Sequence, residues 1–329
     1  MNGSYEGRTA ASVVVRPFLV AWLALALATP AAAAEVVPAG GEKGACRIDS
    51  SPGSAVPDPE SAFGASILAL SERGCRALSG RPFDRARVER KVSEIASRVE
   101  RQLGNDRDPR RALAAIGRVV FAEERFAYDA SGTDPDLYML DRVIERKRGN
   151  CLGLTLLYDL VGERIGLPLT GAYVPGHILV RYESGPVRVN VETSRQGEEL
   201  SDAEYRRAFG LGKDRPYLRT LDRRGIAAVF LKTVGATCAC ARRDEQALAW
   251  YAEAFGLYPE LSDIHFNTGV SLQRTGRPRG AEDAYRKCLS IDPDHAPARD
   301  NLEAVTKRRA DSCDFRRVPP KAPAGGGGS

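Results

Sequence analysis

Three residues of this 329-residue chain could together carry acyl transfer: Cys151, His177 and Glu192. Cys151 follows Asn150 and opens the stretch C-L-G-L-T-L-L-Y-D-L-V-G-E-R-I-G. Asn is a favoured N-cap, so Cys151 is expected in the first turn of a helix. The positive end of the helix dipole there favours a thiolate, the nucleophilic form of the side chain. A nearby imidazole would favour it further and serve as base and then acid. The chain has three histidines. His265 and His295 fall in a repetitive C-terminal region, whereas His177 opens the strand-like V-P-G-H-I-L-V. The alternating segments 177–182 and Val187–Glu192 are split by Glu183-Ser184-Gly185-Pro186, which reads as a β-hairpin. If Tyr182 faces Val187, His177 faces Glu192 on one side of the hairpin, together with Leu179, Arg181, Arg188 and Asn190. A carboxylate opposite the imidazole can orient it and stabilise its cation. The backbone N–H of Cys151 is the oxyanion donor expected from this placement, with the Asn150 side chain as a second oxyanion candidate. Chemistry of this kind needs no metal and no organic cofactor.

The elements that must position these residues follow from periodicity. Residues 61–148 are helical in pattern. Val88, Val92, Ile95, Val99 and Leu103 mark a helix over Arg85–Leu103, and further helices are expected over 112–126 and 137–146. In the Cys helix, Leu152, Leu156, Leu157, Leu160, Val161 and Ile165 form an apolar face, and Gly166 with Pro168 ends it. Helices followed by a hairpin make the first domain α+β. Beyond about residue 227 an internal repeat appears: Gly235 recurs at Gly269, Ala247 at Ala281, Tyr251 at Tyr285 and Pro259 at Pro293. Small, small, aromatic and proline positions at this period are those of an all-α tetratricopeptide (TPR) array. Residues 297–307 would cap it. An array this short is expected to lean on the first domain, while a chain ending before Ala227 is expected to keep some turnover of a small substrate if it folds.

The stretches R-G-N-C-L-G-L-T-L-L-Y, G-L-P-L, V-P-G-H-I-L-V-R-Y and V-N-V-E-T-S-R-Q-G-E-E-L-S resemble the bacterial transglutaminase-like (transglutaminase-core, Sir-B-type) family with C-terminal TPR repeats. V-V-F-A-E-E-R-F is similar too, and the resemblance covers roughly residues 85–307. It implies a papain/transglutaminase-like fold, with a Cys helix packed on antiparallel strands that bear the His and the acid. The family's acid is usually Asp in an I-D-P-F-like stretch; Glu192 takes that place here and Thr193 replaces the Pro. Many members carry Pro-Ile where this chain has Cys151-Leu152. The implied activity is that of a cysteine hydrolase or acyltransferase working on amide bonds through a thioester. The other reading is a non-catalytic TPR scaffold with a degenerate transglutaminase-like domain. Expected partners are a peptide or protein substrate and a protein bound in the TPR groove.

Composition sets the surroundings. A net charge of +5 and 40 Arg against 8 Lys, with no basic run interleaved with aromatics, argue against nucleic acid as a partner. Arg8 and Arg16 precede the apolar run 17–27, P-F-L-V-A-W-L-A-L-A-L, and then A-T-P-A-A-A-A-E. This reads as a signal peptide over 1–34, cleaved after Ala34, which leaves no stable membrane span and a periplasmic or secreted protein. Residues 35–60 read as a linker, 61–226 as the transglutaminase-like domain, 227–312 as the TPR repeats with their cap, and 313–329 as a disordered tail. Seven cysteines suit an oxidising compartment, and at least one of an odd number stays out of intramolecular pairs. Cys151 is the expected free thiol, Cys46–Cys75 the first expected disulfide, and the C-x-C of Cys238 and Cys240 is read as structural.

Overall fold

The computed structural model describes residues 56–131 and 134–314. The expected signal peptide, most of the linker including Cys46, and the tail beyond Asp314 lie outside them.

Among the described residues, four helices precede the Cys helix: α1 (Phe63–Ser79), α2 (Arg85–Leu103), α3 (Pro109–Gly117) and α4 (Leu140–Arg146). The span of α2 is the one its apolar stripe predicts. Val88, Val92, Ile95 and Val99 are buried, and the Asp84 side chain caps the first turn by accepting from the Arg87 N–H. The helix expected over 112–126 differs. It starts at Pro109, where Asp108 accepts from Arg110 and Arg111 N–H, and passes at Arg118 into a π-helical turn, Arg118–Glu123. A proline in the first turn forgoes only an N–H that has no partner there, so this start costs little. A short parallel pair, β1 (Ala127–Tyr128) and β2 (Arg148–Gly149), then leads the chain to the Cys helix, α5 (Cys151–Arg164).

Five strands form one antiparallel sheet: β3 (Leu169–Val174), β4 (His177–Ser184), β5 (Val187–Glu192), β6 (Glu198–Glu199) and β7 (Thr220–Leu221), in the order β6-β5-β4-β3-β7. The hairpin foreseen from sequence, β4–β5, is therefore internal to a larger sheet. Helix α5 packs on β3 and β4 with one side and against α2 and α4 with the other. It is buried on nearly every side rather than along one stripe, as Leu154, Leu156, Leu157, Tyr158, Leu160 and Val161 show. Gly153 allows this closeness, because a Cβ there would run into the Leu137 carbonyl.

Between β5 and β7 lies α6 (Asp202–Ala208). The repeats follow as helix pairs α7 (Arg223–Cys240) with α8 (Asp244–Leu257) and α9 (Ser262–Arg274) with α10 (Pro278–Ile291), then α11 (Ala296–Asp314). The repeated Gly and Tyr meet one another: a Cβ on Gly235 would enter the Tyr251 ring, and one on Gly269 the Tyr285 ring. The array does lean on the first domain. One apolar core runs from Phe63 to Ile264 and includes Ile226, Ala228, Phe230, Leu231 and Val234 of α7. The residues around position 227 thus lie inside a shared core, so a chain ending there would lose part of it. A second, smaller core holds Ala281, Tyr285, Cys288, Ala298 and Val305.

Cys75, Cys151, Cys240 and Cys288 are free thiols. Cys75 is buried with its Sγ 4.0 Å from Asp141 Oδ1. Burial, and then the Asp141 charge, push its thiol up to about 12. No helix of the described residues is long and apolar enough to cross a membrane.

Candidate active site

Asn150 caps α5, its side-chain oxygen accepting the Gly153 N–H at 3.0 Å. That is the capping role read from the sequence, and it commits the carboxamide oxygen of the second oxyanion candidate. Cys151 follows as the first helical residue, where a backbone N–H has no intrahelical acceptor. His177 is fixed by the turn before it. Val174 pairs with His177 across Pro175-Gly176, and Gly176 has φ 71. Proline followed by a glycine at positive φ is the signature of a type II turn, which starts β4 at the histidine.

The pairing of β4 with β5 differs from the expected one by two residues. Ser184, not Tyr182, faces Val187, and Val180 faces Val191. The reason is the turn: Gly185 at φ 56 followed by Pro186 closes the hairpin in two residues, as the type II′ geometry favoured by strand twist requires. A shift of two keeps every side chain on its face. Glu192 is therefore on the side of His177 but diagonal to it, a Cβ separation of about 7–8 Å that long side chains can span. The reach of Glu closes the gap: His177 Nε2 lies 2.7 Å from Glu192 Oε2. Nδ1 is left for the thiol, which His177 and the Ile178 N–H both hydrogen-bond.

Electrostatics link the three groups. Burial works against the Cys151 thiolate, yet the His177 charge and hydrogen bond and the Ile178 N–H hold its pKa below the usual thiol value. Burial also works against the His177 cation, and the Cys151 and Glu192 charges overcome it, raising His177 to about 10. Glu192, although buried, is lowered to about 2 by His177 and Ser194. All three shifts run towards the charged forms: thiolate for Cys151, imidazolium for His177 and carboxylate for Glu192.

Two participants were not found in the sequence. The Tyr205 hydroxyl donates to Glu192 Oε2 at 2.8 Å, and the Phe209 ring stacks on His177 with centroids 5.8 Å apart and planes at 23°. Both belong to α6 or its end. The capping box of that helix, Ser201 with Glu204, was the available local signal. Tyr128, at the rim, is 39% exposed; desolvation and then the Cys151 and Glu192 charges raise its pKa to about 12. Arg181, foreseen on the face of His177, is fully buried there beside Asn190.

Residues 86–227 match the model of the Transglutaminase-like superfamily, and residues 262–295 match that of the Tetratricopeptide repeat. The chain thus carries a transglutaminase-like domain followed by a TPR. Two curated proteins of Xylella fastidiosa, from strain 9a5c and strain Temecula1 / ATCC 700964, are both called UPF0162 protein. Each is 25% identical over 193 residues, which span 55% of this chain and 68% of theirs. That name carries no activity. The crystal structure of menin that reveals the binding site for Mixed Lineage Leukemia protein aligns with a TM-score of 0.48 at 11% identity, over 79% of this chain and 65% of menin's. A likeness of that depth carries no argument.

Proposed function

We propose that the chain is an exported cysteine enzyme that cleaves or transfers amide bonds through a Cys151 thioester. The observation that supports this reading most is the 2.7 Å contact between His177 and Glu192 beside a thiol that His177 itself hydrogen-bonds. The Cys151 thiolate attacks the amide carbonyl carbon, and the carbonyl oxygen takes the electron pair under the Cys151 backbone N–H. The imidazolium Nδ1–H of His177 then gives its proton to the departing amine, the C–N bond breaks and a thioester remains. Water or an amine attacks that thioester and passes a proton back to His177, and the thiolate leaves. Glu192 keeps the ring oriented and its cation stable throughout. Water completes peptidase or amidase action; an amine completes transfer. The substrate is a peptide or protein, and the TPR groove holds a protein partner. The signal-peptide pattern of residues 1–34 supports a periplasmic or secreted location.

Mild alkylation of the native protein followed by peptide mapping tests this. Cys151 is expected to be labelled ahead of the exposed Cys240, and at a pH below that at which an ordinary thiol reacts. Turnover of envelope peptides is expected to vanish in Cys151→Ala. Labelling of Cys151 no faster than in denatured protein would leave the chain a scaffold that binds through its repeats.

A further inference from the structure

We propose that Tyr205 is a positioning residue for the Cys151–His177–Glu192 group, and that buried Arg181 holds it there through Asp202. This rests on the reading of that group as catalytic. Glu192 bridges a diagonal with a long, rotatable side chain, so its carboxylate must be held at more than one point to hold an imidazole. Three donors hold it: Ser194 N–H on Oε1 at 2.8 Å, and His177 at 2.7 Å with the Tyr205 hydroxyl at 2.8 Å on Oε2.

Tyr205 is in turn fixed by the start of α6. Asp202 Oδ1 accepts from Arg181 Nη2 at 2.6 Å and from Asn190 Nδ2 at 2.8 Å. Arg181 also donates through Nε to Asn190 Oδ1 and through Nη1 to the Leu218 carbonyl, both at 2.8 Å. A buried guanidinium with this many partners is costly to displace, because each partner lost leaves an unpaired charge or dipole in the interior. It anchors one end of a seven-residue helix. The middle of that helix delivers Tyr205 to Glu192, and its far end delivers Phe209 to His177. The network sits on the sheet face that carries His177, two pairs further along the hairpin. Tyr205 acts through Glu192 and touches no reacting atom.

Tyr205→Phe removes one oxygen and keeps the ring, so folding is preserved and the hydroxyl alone is tested. Two readouts are taken on the full chain: titration of the His177 imidazole by NMR, and the pH dependence of Cys151 alkylation by iodoacetamide. With the carboxylate less well aimed, His177 is expected to lose its proton about one pH unit or more lower than in the native protein. The alkaline limb of turnover moves with it. An unchanged or upward His177 titration in Tyr205→Phe overturns the proposal, since a tyrosine that only fills space would leave the imidazole untouched. The native alkylation profile reads the proposed function separately: an unreactive native Cys151 defeats that function, whereas the His177 titration decides the role of Tyr205 in either case.

Discussion

Glu192 illustrates how one side chain's length can decide a site. The diagonal placement leaves a gap that Glu spans and Asp, shorter by one methylene of about 1.5 Å, does not. Glu192→Asp is therefore expected to weaken the 2.7 Å contact and to cut turnover less than Glu192→Gln. The latter keeps the shape but removes the charge, and a loss of roughly a hundredfold or more is expected in kcat. The pH dependence has a definite sign. Glu192 is lowered to about 2 from 4.5, so its contribution to stability is present above pH 4.5 and is lost as pH falls towards 2. His177 is raised from 6.5 to about 10, so its contribution is present below pH 6.5 and is lost as pH rises towards 10. Thermal unfolding across pH should show both slopes in the native protein and a weaker acid slope in Glu192→Gln. Asp159, two turns beyond Cys151 on α5, has the opposite sign. Neither of its oxygens has a hydrogen-bond partner among the described residues, and burial pushes its carboxyl well above the ordinary 3.8. Its folded form prefers the proton, so stability is lost as pH rises above 3.8. Asp159→Asn is expected to melt higher than the native protein at pH 7 and to gain nothing below pH 3.8. A lower melting point at neutral pH would refute the neutral-acid account.

Helix α5 shows what local sequence encodes. Its start was legible because Asn150 caps and Cys151 opens the apolar pattern, and its end because Gly166 adopts φ 72. Removing the cap in Asn150→Ala is expected to cost about 1 kcal/mol in denaturant unfolding, with the Asn150–Gly153 bond lost. The same pattern reading found α2 and the repeated Gly–Tyr contacts, because each depends on residues close in sequence or at a fixed spacing. The faces of the hairpin were legible too, since a strand alternates with period two. Its register was not. The run Glu183-Ser184-Gly185-Pro186 suggests a four-residue loop, whereas a glycine free to adopt positive φ lets the turn close over Gly185 and Pro186 alone. Tyr205 and Phe209 were missed for a different reason. Nothing in their spacing relates them to Glu192 or His177; the approach of α6 is set by Arg181, Asn190 and Asp202, which meet only after the sheet has formed.

The first domain and the repeats share more than a boundary. Helix α7 opens the array, yet Phe230 lies in the common core, edge-to-face with Tyr138 at 6.1 Å. Polar contacts cross the same seam. The Tyr173 hydroxyl donates to Asp263 of α9 and accepts from Lys232 Nζ at 3.0 Å and from the Gly176 N–H at 3.3 Å. Gly176 immediately precedes His177, so the turn that presents the histidine is tied to the repeats. Tyr217 donates to buried Asp292 at 2.9 Å, beside Arg215 on the same carboxylate. The repeats therefore help to hold the turn before His177, and the separation of the two parts expected from sequence narrows: the array lends support to the fold around the candidate site. Phe230→Ala, a change within the array, is expected to destabilise the whole protein by about 3–5 kcal/mol. Unfolding and loss of Cys151 labelling should then coincide on one denaturant curve. A chain ending at residue 226 keeps only the first turn of α7 and is expected to show no cooperative melt by circular dichroism. Should that shortened chain melt cooperatively and label Cys151 at the full-length rate, the shared core would be dispensable and the site would belong to the first domain alone.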